Sequence, residues 1–203
     1  KNNGVWTEPQ SIGEDVNDPQ YSNTQPAVGY DSQKKNQEVI YFVSDREGGK
    51  GGTDIWYTTF DNKSKKFKTP SNAGTKINTA GDEVTPFVDP QSKVFYFSSD
   101  GWQGLGGLDV FKTNGELKKW STPENMGFPL NSNYDDLYYV LAPVNKENGL
   151  LVSNRPVSEK GINKGACCDD IFEVHWLDLV KLRLKGLLYE QEDSVKKGMP
   201  IVM

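Results

Sequence analysis

Three aspartates pose the first chemical question. Asp54, Asp109 and Asp170 each close a loop and open an apolar–aromatic pair: Ile55-Trp56, Val110-Phe111 and Ile171-Phe172. Loop carboxylates of this kind could ligate calcium or act as general acids. An active site has little use for the same acid once per repeat, however. A hard cation also wants about six to eight oxygens, more than these loops offer. The expected role is therefore structural: a carboxylate at a strand's start accepts hydrogen bonds from the preceding turn, worth about 1.5–3 kcal/mol when charged. Ser44, Ser99 and Ser153, which end the apolar runs before each loop, are expected to belong to the same structural repeat.

The other candidates are weaker. The run Gly48-Gly49-Lys50-Gly51-Gly52 could cradle a phosphate through backbone N–H groups. A phosphate loop needs a helix after it, whereas an apolar-aromatic strand follows here, so a hairpin connection is expected. The adjacent acids Asp82-Glu83, Asp135-Asp136 and Asp169-Asp170 point to opposite faces of a strand and cannot converge on one substrate. They are expected to be solvated turn acids, with one member of each of the first two pairs able to face a central channel. His175 is the only histidine, too little for a zinc site or a catalytic triad. Cys167 and Cys168 are adjacent and form no disulfide framework. Lys63, Lys65, Lys66 and Lys68 surround Phe67 and read as charges guarding a strand edge. No catalytic, cofactor-binding or metal-binding residue is assigned, no cofactor is expected, and the chain is expected not to be an enzyme.

The spacing of these residues describes the elements that must hold them. The segment SDREGGKGGTDIWY (44–57) returns as SDGWQGLGGLDVFK (99–112) and, with an insertion, as 153–174. Ser44, Ser99 and Ser153 lie 55 and 54 residues apart. Residues 68–88 match 121–140, pairing Asn72 with Asn125, Gly74 with Gly127, Ile77 with Leu130 and Asn78 with Asn131. A looser copy runs from Trp6 through Gly13, Val16 and Asn17 to Pro26. A fixed period in this range signals a repeat architecture.

Each repeat resolves into four short strands. The first surrounds Ala27-Val28, Pro86-Val88 or Tyr138-Leu141. The second is apolar on consecutive positions, Val39-Val43, Val94-Phe97 and Leu150-Val152, which suits a strand covered on both faces. The third begins at Asp54, Asp109 or Asp170. The fourth is centred on Trp6, Phe67 or Trp120. The fold expected is all-β, a partial β-propeller of four-stranded antiparallel blades. Residues 1–179 would hold about three complete blades and one stray outer strand. Three blades cannot close a ring, so chain before Lys1 or association would have to complete it. Residues 180–203 read as the start of a second small β domain.

The 203 residues carry 23 basic and 28 acidic side chains, a net charge of −5. That disfavours nucleic acid or an anionic membrane surface as the main partner. The 20 glycines and 11 prolines lie between short aromatic and β-branched runs, an all-β composition. No apolar run reaches membrane-spanning length and no signal peptide is visible. The chain is expected to be a fragment of a longer protein.

The apolar run, Ser-Asp-Arg and Gly-Gly-x-Gly-Gly-x-Asp-Ile-Trp pattern of Val43–Trp56, repeated at Asp109-Val110-Phe111 and Asp170-Ile171-Phe172, resembles the TolB-like, WD-type propeller repeat. It is similar to the version in OmpA-family multidomain proteins of Bacteroidetes, some of them periplasmic, outer-membrane-associated lipoproteins of the type IX secretion and gliding machinery. The resemblance implies that residues 180–203 begin a carboxypeptidase-regulatory-like domain. It also implies a non-catalytic protein-interaction scaffold whose partners are envelope or secretion proteins, with peptidoglycan reached only through a domain outside this sequence. The alternatives are an accessory propeller of a hydrolase whose catalytic domain lies elsewhere, and a binder of a small ligand or cation at a channel mouth.

Overall fold

The computed structural model describes the backbone of residues 6–34, 37–142, 148–156, 158–159, 162–163, 168–176, 185–190 and 197–202, with side chains placed in all of these but 158–159, 162–163, 185–190 and 197–202. Among the described residues the chain is all-β, and every strand pairing is antiparallel.

The first sheet holds β1 (Asn23–Tyr30), β2 (Glu38–Ser44) and β3 (Asp54–Asp61), with β4 (Lys66–Phe67) and β5 (Ser71–Asn72) both along the far side of β3. The second contains β6 (Glu83–Val88), β7 (Phe95–Ser99) and β8 (Asp109–Thr113). A small hairpin, β9 (Gly115–Glu116) and β10 (Lys119–Trp120), precedes its outer strand β11 (Glu124–Asn125), which pairs with β8. The third joins β12 (Asp136–Leu141) and β13 (Asn148–Ser153), then passes the short hairpin β14 (Ser158–Glu159) and β15 (Ile162–Asn163) to β16 (Asp170–His175). A last hairpin, β17 (Lys185–Glu190) and β18 (Lys197–Val202), follows.

The sheets stack face to face. Val39, Tyr41 and Ile55 of the first sheet pack against Phe95, Phe97 and Phe111 of the second, and Trp120 joins that cluster. Ring centroids lie 5.0 Å apart for Tyr41–Phe95 and 4.8 Å for Phe95–Trp120. The second joint uses Tyr96 and Val110 against Leu151, with Phe172 and Val174 partly buried beside them. Burying aromatic side chains on this scale dominates core energetics. It also accounts for the consecutively apolar β2 and β7, buried at nearly every position: β7 lies between two sheets, and β2 between the second sheet and Val16.

Several expectations need correction. The fourth strand is not one aromatic-centred element. Trp120 lies in the small hairpin, and its indole Nε1 donates to the carbonyls of Ala73 and Leu117 at 3.1 and 3.0 Å. The outer strand of that sheet is instead Glu124–Asn125. Trp6 is in no strand and is exposed. The strand β13 alternates between buried and open positions, because nothing described covers its outer face. The strand counts differ, with five in the first sheet and three in the third, and the described residues form no closed ring. The expected boundary at 179/180 and Cys167 lie outside the described residues.

Candidate functional site

The repeated serines and aspartates meet across each sheet. Ser44 pairs in register with Asp54, Ser99 with Asp109, and Ser153 with Asp170. On the other side the same serines pair with Asn23, Glu83 and Asp136. Each sheet thus carries one polar row across its end.

Within that row the aspartates bond locally. Asp54 Oδ2 accepts from Lys50 N at 2.5 Å and Asn72 Nδ2 at 2.8 Å. Asp109 Oδ2 accepts from Leu105 N and from Asn125 Nδ2. Both are buried, and in both Oδ1 has no hydrogen-bond partner. Asp170 is exposed. Since the partners of Asp54 and Asp109 all belong to their own repeats, these residues are not brought together around one site. Ser44 Oγ donates to Asn23 Oδ1 at 3.1 Å, Ser99 Oγ to Glu83 Oε1 at 2.7 Å, and Ser153 Oγ accepts from Arg155 Nε at 3.0 Å. Among the described residues no group of three or more His, Cys, Asp or Glu is placed to hold a metal ion.

Asp169 and Asp170 are exposed, as expected, but the first two acid pairs are not solvated turn residues. Glu83 and Asp136 are 0% exposed, because each folds back to close the turn before its strand. Glu83 accepts from Thr79 N at 2.7 Å and Thr79 Oγ1 at 2.6 Å, and Asp136 from Ser132 N at 2.6 Å and Ser132 Oγ at 2.9 Å. Burial pushes the Glu83 carboxyl up, against the lowering effect of the Thr79 and Ser99 donors. Their neighbours stitch one repeat to the one before: Asp82 Oδ1 accepts from Thr53 N at 2.6 Å, and Asp135 Oδ1 from Leu108 N at 2.9 Å. None of the four needs a channel to explain its position.

The glycine-rich loops connect antiparallel strands, and their glycines are set by close approach. A Cβ on Gly51 would lie 2.3 Å from Gly81 O, and one on Gly106 would lie 2.4 Å from Tyr134 O. His175 ends β16, with Nδ1 3.0 Å from Asn148 Oδ1 and Nε2 3.5 Å from Glu173. Cys168 is exposed.

A recess that no sequence motif announced lies where the first strands of the three sheets converge. Gln25, Thr85 and Tyr138 occupy the same place in β1, β6 and β12, and each has a left-handed backbone, with φ of 51°, 51° and 49°. The register shifts at each of them, between Thr24 and Ala27, Val84 and Phe87, and Leu137 and Val140. A non-glycine residue held there costs on the order of 1–3 kcal/mol, and it recurs at all three of these bulges. The Gln25 side chain reaches across to the other two strands, while the Thr85 hydroxyl turns inward to Ser98 Oγ at 3.1 Å. Gln25 Oε1 accepts from Thr85 N at 2.7 Å, and its Nε2 donates to Tyr138 Oη at 3.1 Å. Around them Pro26, Val28, Pro86, Phe87 and Tyr139 help line a mostly apolar cleft of ≈ 510 Å³. Val28 and Tyr138 are exposed in it. The signal available in the sequence was the repeated residue-then-proline at Gln25-Pro26 and Thr85-Pro86. The third copy, Tyr138-Tyr139, lacks the proline and hides the repeat.

No family model matches the chain, and no curated protein matches it. Among solved structures, an alpha-L-arabinofuranosidase from Podospora anserina, in complex with cellotriose, is similar at 13% identity with a TM-score of 0.42. The match covers 73% of this chain and 46% of that one, so the chain spans under half the length of that protein. The match runs against the expectation that the chain is not an enzyme, and that expectation is dropped. At this TM-score the likeness itself assigns no activity.

Proposed function

We propose that the three sheets are successive blades of a β-propeller, and that the chain is a protein-interaction scaffold engaging partners at the cleft between its first strands. The observation that carries this is the threefold left-handed bulge. Strain of this kind persists only where the surroundings over-determine it, and it gathers at binding sites. Here it gives one apolar recess a rim of hydrogen-bonding groups: the Gln25 amide and the Tyr138 hydroxyl. An apolar floor with a few placed polar groups is what recognition of a protein segment requires. The resemblance to TolB-like repeats of OmpA-family proteins supports partners in the periplasm, at the outer membrane or in a type IX secretion complex.

A photoreactive residue placed at Val28 in the full-length protein tests this in cells. Cross-links to an envelope or secretion component, lacking from the same probe at Lys63, are expected. Identical products from both positions would refute the role of the cleft.

A further inference from the structure

Asn-Gly occurs three times in the sequence, at Asn3-Gly4, Asn114-Gly115 and Asn148-Gly149. In this dipeptide an asparagine side chain reacts most readily with its own backbone, because glycine has no Cβ to shield the following amide. Asn3-Gly4 lies outside the described residues. The fold treats the other two in opposite ways. Asn148 opens β13, the central strand of the third sheet, and Gly149 is buried there in register with Leu141 on one side and Val174 on the other. The Asn148 side chain is held as well, its Oδ1 3.0 Å from His175 Nδ1. Asn114 lies between β8 and β9 and is exposed. Its hydrogen bonds among the described residues all run through its backbone, with N donating to Ser121 Oγ at 3.1 Å and O accepting from Ser121 N at 2.8 Å. The second of these bonds makes Gly115–Trp120 a wide pair of the hairpin, which turns the Gly115 N–H away from β10.

We propose that Asn114-Gly115 is a self-modification site, which deamidates in the folded chain while Asn148-Gly149 does not. The Gly115 nitrogen attacks Asn114 Cγ and forms a new C–N bond. The bond from Cγ to the side-chain nitrogen breaks, and that nitrogen leaves as ammonia with the proton Gly115 gives up. Water then opens the cyclic imide at one of its two carbonyls. One product is aspartate. The other is isoaspartate, whose main chain runs through the former side chain and is one methylene longer. No oxidant or reductant is consumed.

The position of the site gives the change a structural effect. The hairpin β9–β10 that follows it fastens the second sheet to the first. Leu117 N donates to Tyr41 Oη at 2.8 Å, Trp120 Nε1 to Ala73 O at 3.1 Å, and Glu116 accepts from Ser32 N at 2.9 Å and Ser32 Oγ at 2.5 Å. The hairpin is tight where the extra methylene enters, since even a Cβ on Gly115 would lie 2.0 Å from Lys119 O. Isoaspartate at this position therefore loosens the clamp. The inference goes beyond the cleft reading: neither Asn114 nor the hairpin lines that cleft, and failure here would leave that reading standing.

The test holds the chain at mildly alkaline pH and body temperature and samples it by proteolysis and mass spectrometry. The peptide with Asn114 is expected to gain the mass of an amide exchanged for an acid at least about tenfold faster than the peptide with Asn148, because a glycine in a ladder reacts only after local opening. In urea concentrated enough to unfold the chain the two rates should converge. The converted chain should melt below fresh protein. Asn114→Gln, whose longer side chain closes the ring slowly, should keep its melting temperature through the same incubation. Equal rates in the folded chain, a gap that survives unfolding, or conversion that leaves the melt unchanged overturns the inference.

Discussion

Truncating Asn78 should cost far more than its size suggests. The side chain is buried and makes three hydrogen bonds: from Ile55 N, to Ile55 O, and to Asn72 Oδ1 at 2.9 Å. In Asn78→Ala two of the abandoned groups keep a partner. Ile55 O still accepts from Ala73 N at 3.0 Å, and Asn72 Oδ1 still accepts from Gly74 N at 2.8 Å. Only the Ile55 N–H is stranded. A buried donor left unsatisfied costs about 1–3 kcal/mol, and each of the other lost bonds about 0.5–1.5 kcal/mol. We expect a loss of about 3 kcal/mol, roughly a hundredfold in the folding constant. Urea unfolding followed by tryptophan fluorescence measures it, since Trp56 and Trp120 are buried. Asn78→Asp separates hydrogen bonding from volume. It keeps an acceptor for Ile55 N–H but sets a carboxylate oxygen against two acceptors, so it should be at least as damaging. Asn17→Ala, where Nδ2 reaches only Ser11 Oγ at 3.4 Å, should be nearly neutral. A loss under about 1 kcal/mol for Asn78→Ala at unchanged denaturant slope, or a tolerated Asn78→Asp, would refute the reasoning.

Three further outcomes follow from the same joints. Because burial raises the folded-state carboxyl of Glu83, the folded chain binds this proton more readily than the unfolded one. Its contribution is then full below the unfolded carboxylate value and lost as pH rises through the raised one. Glu83→Gln, whose amide can satisfy the Thr79 and Ser99 partners, should therefore gain in melting temperature relative to wild type as pH rises from acid to neutral; a difference flat with pH would contradict this. Arg155 donates to Pro129 O at 3.0 Å, Leu130 O at 2.5 Å and the buried Asp136. Arg155→Lys, lacking the planar fork, should lose about 2 kcal/mol, and equal unfolding midpoints would argue against it. Gly106→Ala drives a Cβ to 2.4 Å from Tyr134 O and 2.6 Å from Ser132 O. It should therefore unfold at clearly lower denaturant than wild type, and an unchanged urea midpoint would show that the loop yields without cost.

The 55-residue spacing, the consecutively apolar Val39-Val43 and Val94-Phe97, and the loop-closing aspartates by themselves determined an antiparallel all-β chain of repeated sheets. Strand signals are local, and a motif stated three times averages out its exceptions. The asparagine pairs Asn72/Asn125 and Asn78/Asn131 were visible as matches, but not their task. Gripping a strand more than twenty residues away depends on a packing that no spacing encodes. Glu83 and Asp136 read as solvated acids because charge predicts exposure, until a turn of their own supplies the donors that make burial tolerable. The left-handed Gln25, Thr85 and Tyr138 have no residue type in common, so only the stacking of three sheets could bring them to one recess. The sequence thus settled the first three strands of each sheet; tertiary contact decided the outer strands and which face of each is covered, because coverage belongs to the neighbouring layer and not to the strand.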